Sequence, residues 1–253
     1  MRDTVVVRPH RDPDAELTFI CLGFCGGGAG SYVPWARSMP PGVELAAICY
    51  PGREGRFAEP FARDWDELAE DCVAAVESAA VRPYVLFGHS MGGWMAFDVA
   101  ARIGERGGPV PEALVVSSAN AVSRGLTPQD MFPSQRDSDE ELTHWMRTFG
   151  LLPGHVLDDP DLCEMAVEIM RADLSVRDTF HHRPGAAVGV PLQVLTGAAD
   201  QVIEPAAAEQ WRALAGADFR HDELPGGHFY TPPVWAALPT HISALRAGRP
   251  VRL

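Results

Sequence analysis

Residues 84–93 read Tyr-Val-Leu-Phe-Gly-His-Ser-Met-Gly-Gly, a strand-like apolar run that ends in Gly88-His89-Ser90-Met91-Gly92 and passes into a helix-like segment. A serine hydroxyl attacks an acyl carbonyl only when a base takes its proton and nearby donors stabilise the oxyanion. The G-x-S-x-G spacing between a strand and a helix suits that task. It sets Ser90 on a sharp turn, where glycine two residues to either side avoids collision with neighbouring backbone. The Met91 N–H then lies at a helix N-terminus, where developing negative charge is stabilised. His89 is read as structural, with its side chain pointing away from Ser90.

A base and an orienting carboxylate are both found downstream, in the chain order Ser, acid, His of α/β-hydrolases. Residues 191–205, PLQVLTGAADQVIEP, give a strand, a glycine turn and Asp200 in the loop that follows. Residues 219–230, FRHDELPGGHFY, give the last strand, a Gly-Gly turn and His228. The other candidates fit less well. The strand after the Ser90 helix ends Ser117-Ser118-Ala119-Asn120, with no carboxylate, and Glu204, Asp218 and Asp222 read as solvated charges. His181 and His182 read as surface or channel residues. The predicted catalytic set is therefore Ser90, Asp200 and His228.

The elements that must position these residues alternate. Apolar runs at 17–23, 43–50, 84–88, 113–117, 191–196 and 219–224 predict strands, and 64–79, 91–103, 205–215 and 233–246 predict helices. Asp64 is the expected N-cap of the first helix. This pattern predicts an α/β fold, a mostly parallel sheet with helices on both faces. Residues 1–253 are expected to form a single α/β-hydrolase domain. Between 121 and 185 no strand is expected, only the helical runs 138–149 and 160–180, so this insertion is predicted to be a helical lid over the carboxyl end of the sheet. Residues 247–253 are expected to be a loose tail.

Leu22 to Ser31, LGFCGGGAGS, holds five glycines in ten residues after an early strand. A dinucleotide loop needs G-x-G-x-x-G, whereas Gly26 to Ser31 gives serine at the last position. The following YVPWARSM is also too short for a full crossover helix. In a hydrolase this position supplies the second oxyanion-hole N–H. That donor is assigned to Phe24 or Cys25, paired with Met91, and the Cys25 thiol is read as a small filler.

Composition narrows the function further. A formal net charge of −13 argues against general nucleic-acid binding. No apolar stretch is long enough to span a membrane, and no signal peptide is expected. All 21 basic residues are arginine, so the lysine required by a Walker-A loop or a pyridoxal Schiff base is absent. Five cysteines with no C-x-x-C pair predict a reduced, cytoplasmic protein without a metal site or cofactor. A monomer is favoured.

With these residues placed, the chain resembles the type II thioesterases that accompany polyketide synthases and nonribosomal peptide synthetases. The likeness is carried by SYVPWARSMPPGVELAAICYPGREGR (31–56), LFGHSMGG (86–93), IMRADLSVRDTFHHRPG (169–185) and LPGGHFY (224–230). The resemblance implies hydrolysis of acyl groups from the phosphopantetheine arm of acyl or peptidyl carrier protein domains. The alternatives on the same fold are a product-releasing thioesterase, an esterase or an acyltransferase, with a non-catalytic binding protein further off. By charge physics alone, 51–56 reads as a turn with surface ion pairs. A carrier-docking patch would draw on Arg53, Arg56, Arg171, Arg177 and Arg183.

Overall fold

The computed structural model describes residues 4–131, 138–151 and 154–246. Seven strands form one sheet: β1 (Val6–His10), β2 (Leu17–Leu22), β3 (Val43–Ile48), β4 (Tyr84–His89), β5 (Ala113–Ser117), β6 (Leu192–Gly197) and β7 (Phe219–Leu224). Their spatial order is β1-β3-β2-β4-β5-β6-β7, with β1 antiparallel and all other pairs parallel. The six predicted strands are all present. The seventh, β1, was not expected, because Arg8, Pro9 and His10 hide its pattern. It is an edge strand with a register shift between Val7 and His10, and Arg8 reaches Glu44 of β3 at 2.9 Å. Polar residues and an irregularity are common protections of an exposed sheet edge.

The central strands are buried throughout, because both faces of the sheet are covered. Their side chains alternate between two cores. Ile20, Leu22, Leu86, Leu114 and Val194 pack with α1 (Trp65–Ala79) and α2 (Met91–Glu105). Phe19, Cys21, Val85, Phe87 and Leu195 pack with Tyr32, Trp35, Leu238 and Ile242 on the opposite face. The first helix starts as expected, the Asp64 carboxylate accepting the Glu67 N–H at 2.9 Å. The segment after the glycine loop is a 3-10 helix, Ala29–Arg37, rather than a crossover α-helix.

From 121 to 185 the described residues contain no strand. They form a 3-10 turn at Val122–Arg124 and four α-helices, α3 (Pro128–Met131), α4 (Asp139–Thr148), α5 (Gly154–Leu157) and α6 (Pro160–Asp178). Leu142 and Met146 of α4 pack against Val167, Met170 and Leu174 of α6, a small core separate from the sheet. Beyond the sheet's sixth strand lie α7 (Ala207–Arg212) and α8 (Pro232–Ala236). The long final helix expected over 233–246 is broken into α8 and two 3-10 turns, Leu238–His241 and Ser243–Leu245. Pro239 has no N–H to continue an α-helical ladder. The tail expected at 247–253 lies outside the described residues.

Candidate active site

Ser90 stands between the end of β4 and the first residue of α2, with φ 54° and ψ −124°. A non-glycine residue reaches that backbone state only when its surroundings hold it there. Here the Ser90 N–H donates to the Ser117 carbonyl at 2.8 Å, and the Ser90 carbonyl accepts from Gly93 at 2.9 Å. The flanking glycines are sterically required. A Cβ on Gly88 would lie 1.8 Å from the Gly92 carbonyl oxygen, and one on Gly92 would lie 2.6 Å from the carbonyl oxygens of Leu22 and Gly23.

Asp200 and His228 follow β6 and β7, which are neighbours in the sheet. Their loops are tied together by Ala198 N–H to Leu224 carbonyl and Ala199 N–H to Gly226 carbonyl, both 2.8 Å. The loops can meet because residue 197 is glycine; a Cβ there would lie 2.2 Å from the Gly227 carbonyl oxygen. His228 Nδ1 is 3.0 Å from Asp200 Oδ2, and its Nε2 is 3.0 Å from Ser90 Oγ. An ionised carboxylate only accepts, so Nδ1 carries the proton and Nε2 presents its lone pair to the serine hydroxyl. The structure thus brings Ser90, His228 and Asp200 into one hydrogen-bonded chain. The Asp200 side chain is fully buried. Burial by itself would raise its carboxyl. The hydrogen bond and charge of His228, the Val202 N–H and the Ser118 hydroxyl outweigh that and hold it below the ordinary aspartate value.

Beside Ser90 lies a cavity of about 480 Å³. Phe24, Cys25, Ser90 and Met91 line it, together with Trp145 of α4, Phe149 directly after that helix, and Met170, Leu174 and Arg177 of α6. The backbone N–H groups of Phe24, Cys25 and Met91 have no acceptor among the described residues. Such free donors on residues that line the cavity beside Ser90 are what an oxyanion requires. The Cys25 thiol lies 3.3 Å from the Met91 sulfur, and burial pushes it up to about 12, so it stays protonated. That fits its reading as a filler.

The glycine loop is held by side chains the sequence placed elsewhere. Glu54 accepts from the N–H groups of Ala29 and Gly30 at 3.0 and 2.8 Å. Its carboxylate therefore occupies the helix start where a phosphate would bind in a nucleotide protein. Arg53 donates to the Gly27 carbonyl at 2.8 Å and makes a bidentate pair with Asp173 of α6. Both side chains of that pair are under 5% exposed, at 4% and 3%. Arg56 is also buried, donating to Asp71, Glu59 and the Cys49 carbonyl. The expected surface turn at 51–56 is thus corrected. Its arginines face inward, because Asp173 neutralises Arg53, and Asp71 and Glu59 neutralise Arg56. The same finding removes Arg53 and Arg56 from any docking patch. Arg171, Arg177 and Arg183 are each paired as well, with Asp139, Asp178 and Asp98 respectively.

His89 is fully buried behind the site and touches the rings of Phe24, Phe229, Trp235 and His228. Its Nδ1 is 3.0 Å from Ser117 Oγ, which is 2.6 Å from the Tyr230 hydroxyl. Burial first, then the nearby His228, lowers its pKa well below 6.5. The unfolded chain therefore binds a proton here as pH falls through 6.5 that the native protein does not, so folding stability declines toward acid. His89→Asn, which keeps an acceptor for Ser117, is expected to remove about 2 kcal/mol of the stability lost between pH 7 and pH 5. Urea unfolding of both proteins at the two pH values checks this.

Among the described residues, no cluster of three His, Cys, Asp or Glu side chains could hold a metal, and no helix is long and apolar enough to cross a membrane. Residues 18–240 match the family model of the thioesterase domain. Thioesterase PikA5 from Streptomyces venezuelae is 32% identical over 93% of this chain and 83% of its own length. AMB antimetabolite synthetase AmbE from Pseudomonas aeruginosa is 34% identical over 84% of this chain, which spans only about a tenth (10%) of that synthetase. Among solved structures, the type II thioesterase BorB from the borrelidin biosynthetic cluster aligns with a TM-score of 0.85 and 34% identity, covering 96% of this chain and 98% of BorB. A seven-stranded hydrolase sheet, a serine turn with its histidine and carboxylate, and a family match over nearly the whole length lead to one assignment: the chain belongs to the thioesterase family.

Proposed function

We propose that the protein is an editing thioesterase, hydrolysing acyl groups from the phosphopantetheine arms of carrier domains in polyketide or nonribosomal peptide assembly. The observation that carries this reading is the Ser90–His228–Asp200 chain opening on a largely apolar cavity in a thioesterase-family protein. The similarity to PikA5 and BorB supports the setting.

In the proposed reaction His228 Nε2 takes the Ser90 proton as Oγ attacks the thioester carbonyl. The oxyanion is held by the Met91 N–H and by the N–H of Phe24 or Cys25. The carbon–sulfur bond then breaks, and imidazolium His228 returns the proton to the pantetheine thiolate. Water attacks the acyl-serine with His228 again as base, releasing the carboxylic acid and free Ser90. Asp200 keeps the imidazole tautomer and stabilises the imidazolium. The helices of 121–185 act as the lid that shapes the acyl site, and the nucleophile, base and oxyanion donors all come from the chain, so no cofactor enters. The cytoplasm is the proposed compartment, in keeping with five free cysteines.

Intact-protein mass spectrometry of acyl-loaded carrier proteins tests this reading, with acyl-CoA and simple esters run in parallel. The expected result is loss of the acyl mass from the carrier with wild type and none with Ser90→Ala. Equal turnover of simple esters with no preference for carrier thioesters would overturn the editing assignment.

A further inference from the structure

The geometry points to Arg53 and Asp173 as positioning residues for the reaction, a clamp that holds the glycine loop so that the Phe24 and Cys25 N–H groups face the reacting carbonyl. The inference rests on the proposed reading of Ser90 as nucleophile and of that loop as one half of the oxyanion hole.

Four hydrogen bonds build the clamp. Asp173 Oδ2 accepts the Gly26 N–H at 2.7 Å. The same oxygen accepts from Arg53 at 2.8 Å, and Asp173 Oδ1 accepts a second guanidinium bond at 2.5 Å. Arg53 also donates to the Gly27 carbonyl at 2.8 Å. One buried ion pair therefore grips the peptide groups directly after Cys25 from two sides. Gly26 has φ 75°, a conformation that favours glycine, and Met170 of α6 packs where its side chain would be. A loop with four glycines between 26 and 30 has little intrinsic rigidity, so its shape must be imposed.

The pair is poorly explained as a source of stability alone. A well-packed apolar pair of similar volume often does as well as a buried ion pair or better. Arg53 Nε also has no partner among the described residues. Apolar replacements, however, could not hold Gly26 and Gly27 by hydrogen bonds. The clamp further ties the loop to α6, where Leu174 next to Asp173, and Met170 and Arg177 about one turn to either side of it, line the cavity.

The test uses the full chain and an acyl-carrier substrate. The double variant Arg53→Met with Asp173→Leu replaces the ion pair by apolar side chains. It is expected to keep a cooperative thermal transition while kcat falls about 100-fold, the scale of a lost oxyanion donor. KM should change less than threefold, and the pH midpoint of kcat/KM should stay where wild type has it, since Ser90, His228 and Asp200 are untouched. A folded double variant with kcat within threefold of wild type overturns the inference. If it fails to fold, Asp173→Asn decides: a fall of at least about tenfold in kcat at an unchanged pH midpoint supports the clamp, and wild-type kcat overturns it. In wild type itself the Gly26 amide should exchange its hydrogen far more slowly than a free peptide, and unprotected exchange overturns the clamp whatever the variants do. Ser90→Ala separates the two levels. Wild-type activity in Ser90→Ala sinks the nucleophile reading, whereas an inactive Ser90→Ala beside fully active clamp variants sinks the clamp alone.

Discussion

Ser90→Ala is expected to lower thioester hydrolysis by about 10⁴–10⁶-fold, because one change removes both the nucleophile and the partner of His228 Nε2. The protein should remain folded, since the Ser90 N–H and carbonyl hold the turn and, among the described residues, the hydroxyl bonds only His228. Asp200→Asn is expected to cost about 10⁴-fold in kcat with the geometry intact. An amide can donate to Nδ1 and so favour the tautomer whose proton sits on Nε2, pointing at the serine. Initial rates on an acyl-carrier substrate, together with labelling of Ser90 by a fluorophosphonate, check both. Labelling that persists in Ser90→Ala, or an Asp200→Asn enzyme near wild-type rate, would contradict the proposed roles.

Gly88→Ala is expected to have the second large effect, through folding rather than chemistry. The added methyl would sit 1.8 Å from the Gly92 carbonyl oxygen and 2.6 Å from the Gly93 nitrogen. Neither is a flexible side-chain end that can swing away. The strand and the helix must separate, which breaks the Ser90 turn and disturbs the core around Leu22 and Leu86. A destabilisation of about 4 kcal/mol or more is expected, in the class reserved for severe overpacking or strain. Gly104→Ala is the contrast, near the end of α2 with its nearest neighbour 3.6 Å away and the residue exposed. There the same methyl should stabilise by about 0.5 kcal/mol, since alanine loses less backbone entropy in a helix. Urea melts of the two variants separate steric necessity from ordinary glycine usage.

These two expectations rest on parts of the protein that are legible residue by residue. A turn that must place a serine between a strand and a helix leaves room only for glycine at positions 88 and 92, and that is a local steric fact. Apolar runs and glycine turns likewise mark the parallel strands, because both faces of the central ones are covered. The chain order of Ser90, Asp200 and His228 follows from those strands. The edge strand β1 is not legible in the sequence, because Arg8, Pro9 and His10 break its apolar run. At the C-terminus, apolar spacing continues through Pro239 while the helical hydrogen bonds do not, so the spacing predicts a longer helix than forms.

The arginines of residues 51–56 mark the boundary most clearly. Charge and position alone make Arg53 and Arg56 look like surface residues, and nothing nearby contradicts that. What buries Arg53 is Asp173, 120 residues further along the chain, and the loop it grips lies 26 residues before it. The chain's own residues therefore determine the strand–turn–helix frame and the identity of the reactive serine, histidine and carboxylate, through periodicity and steric exclusion. Only the tertiary structure decides which charges are neutralised inside and which backbone N–H groups stay free. A buried ion pair depends on partners that meet after the sheet has formed, and no local pattern records that meeting.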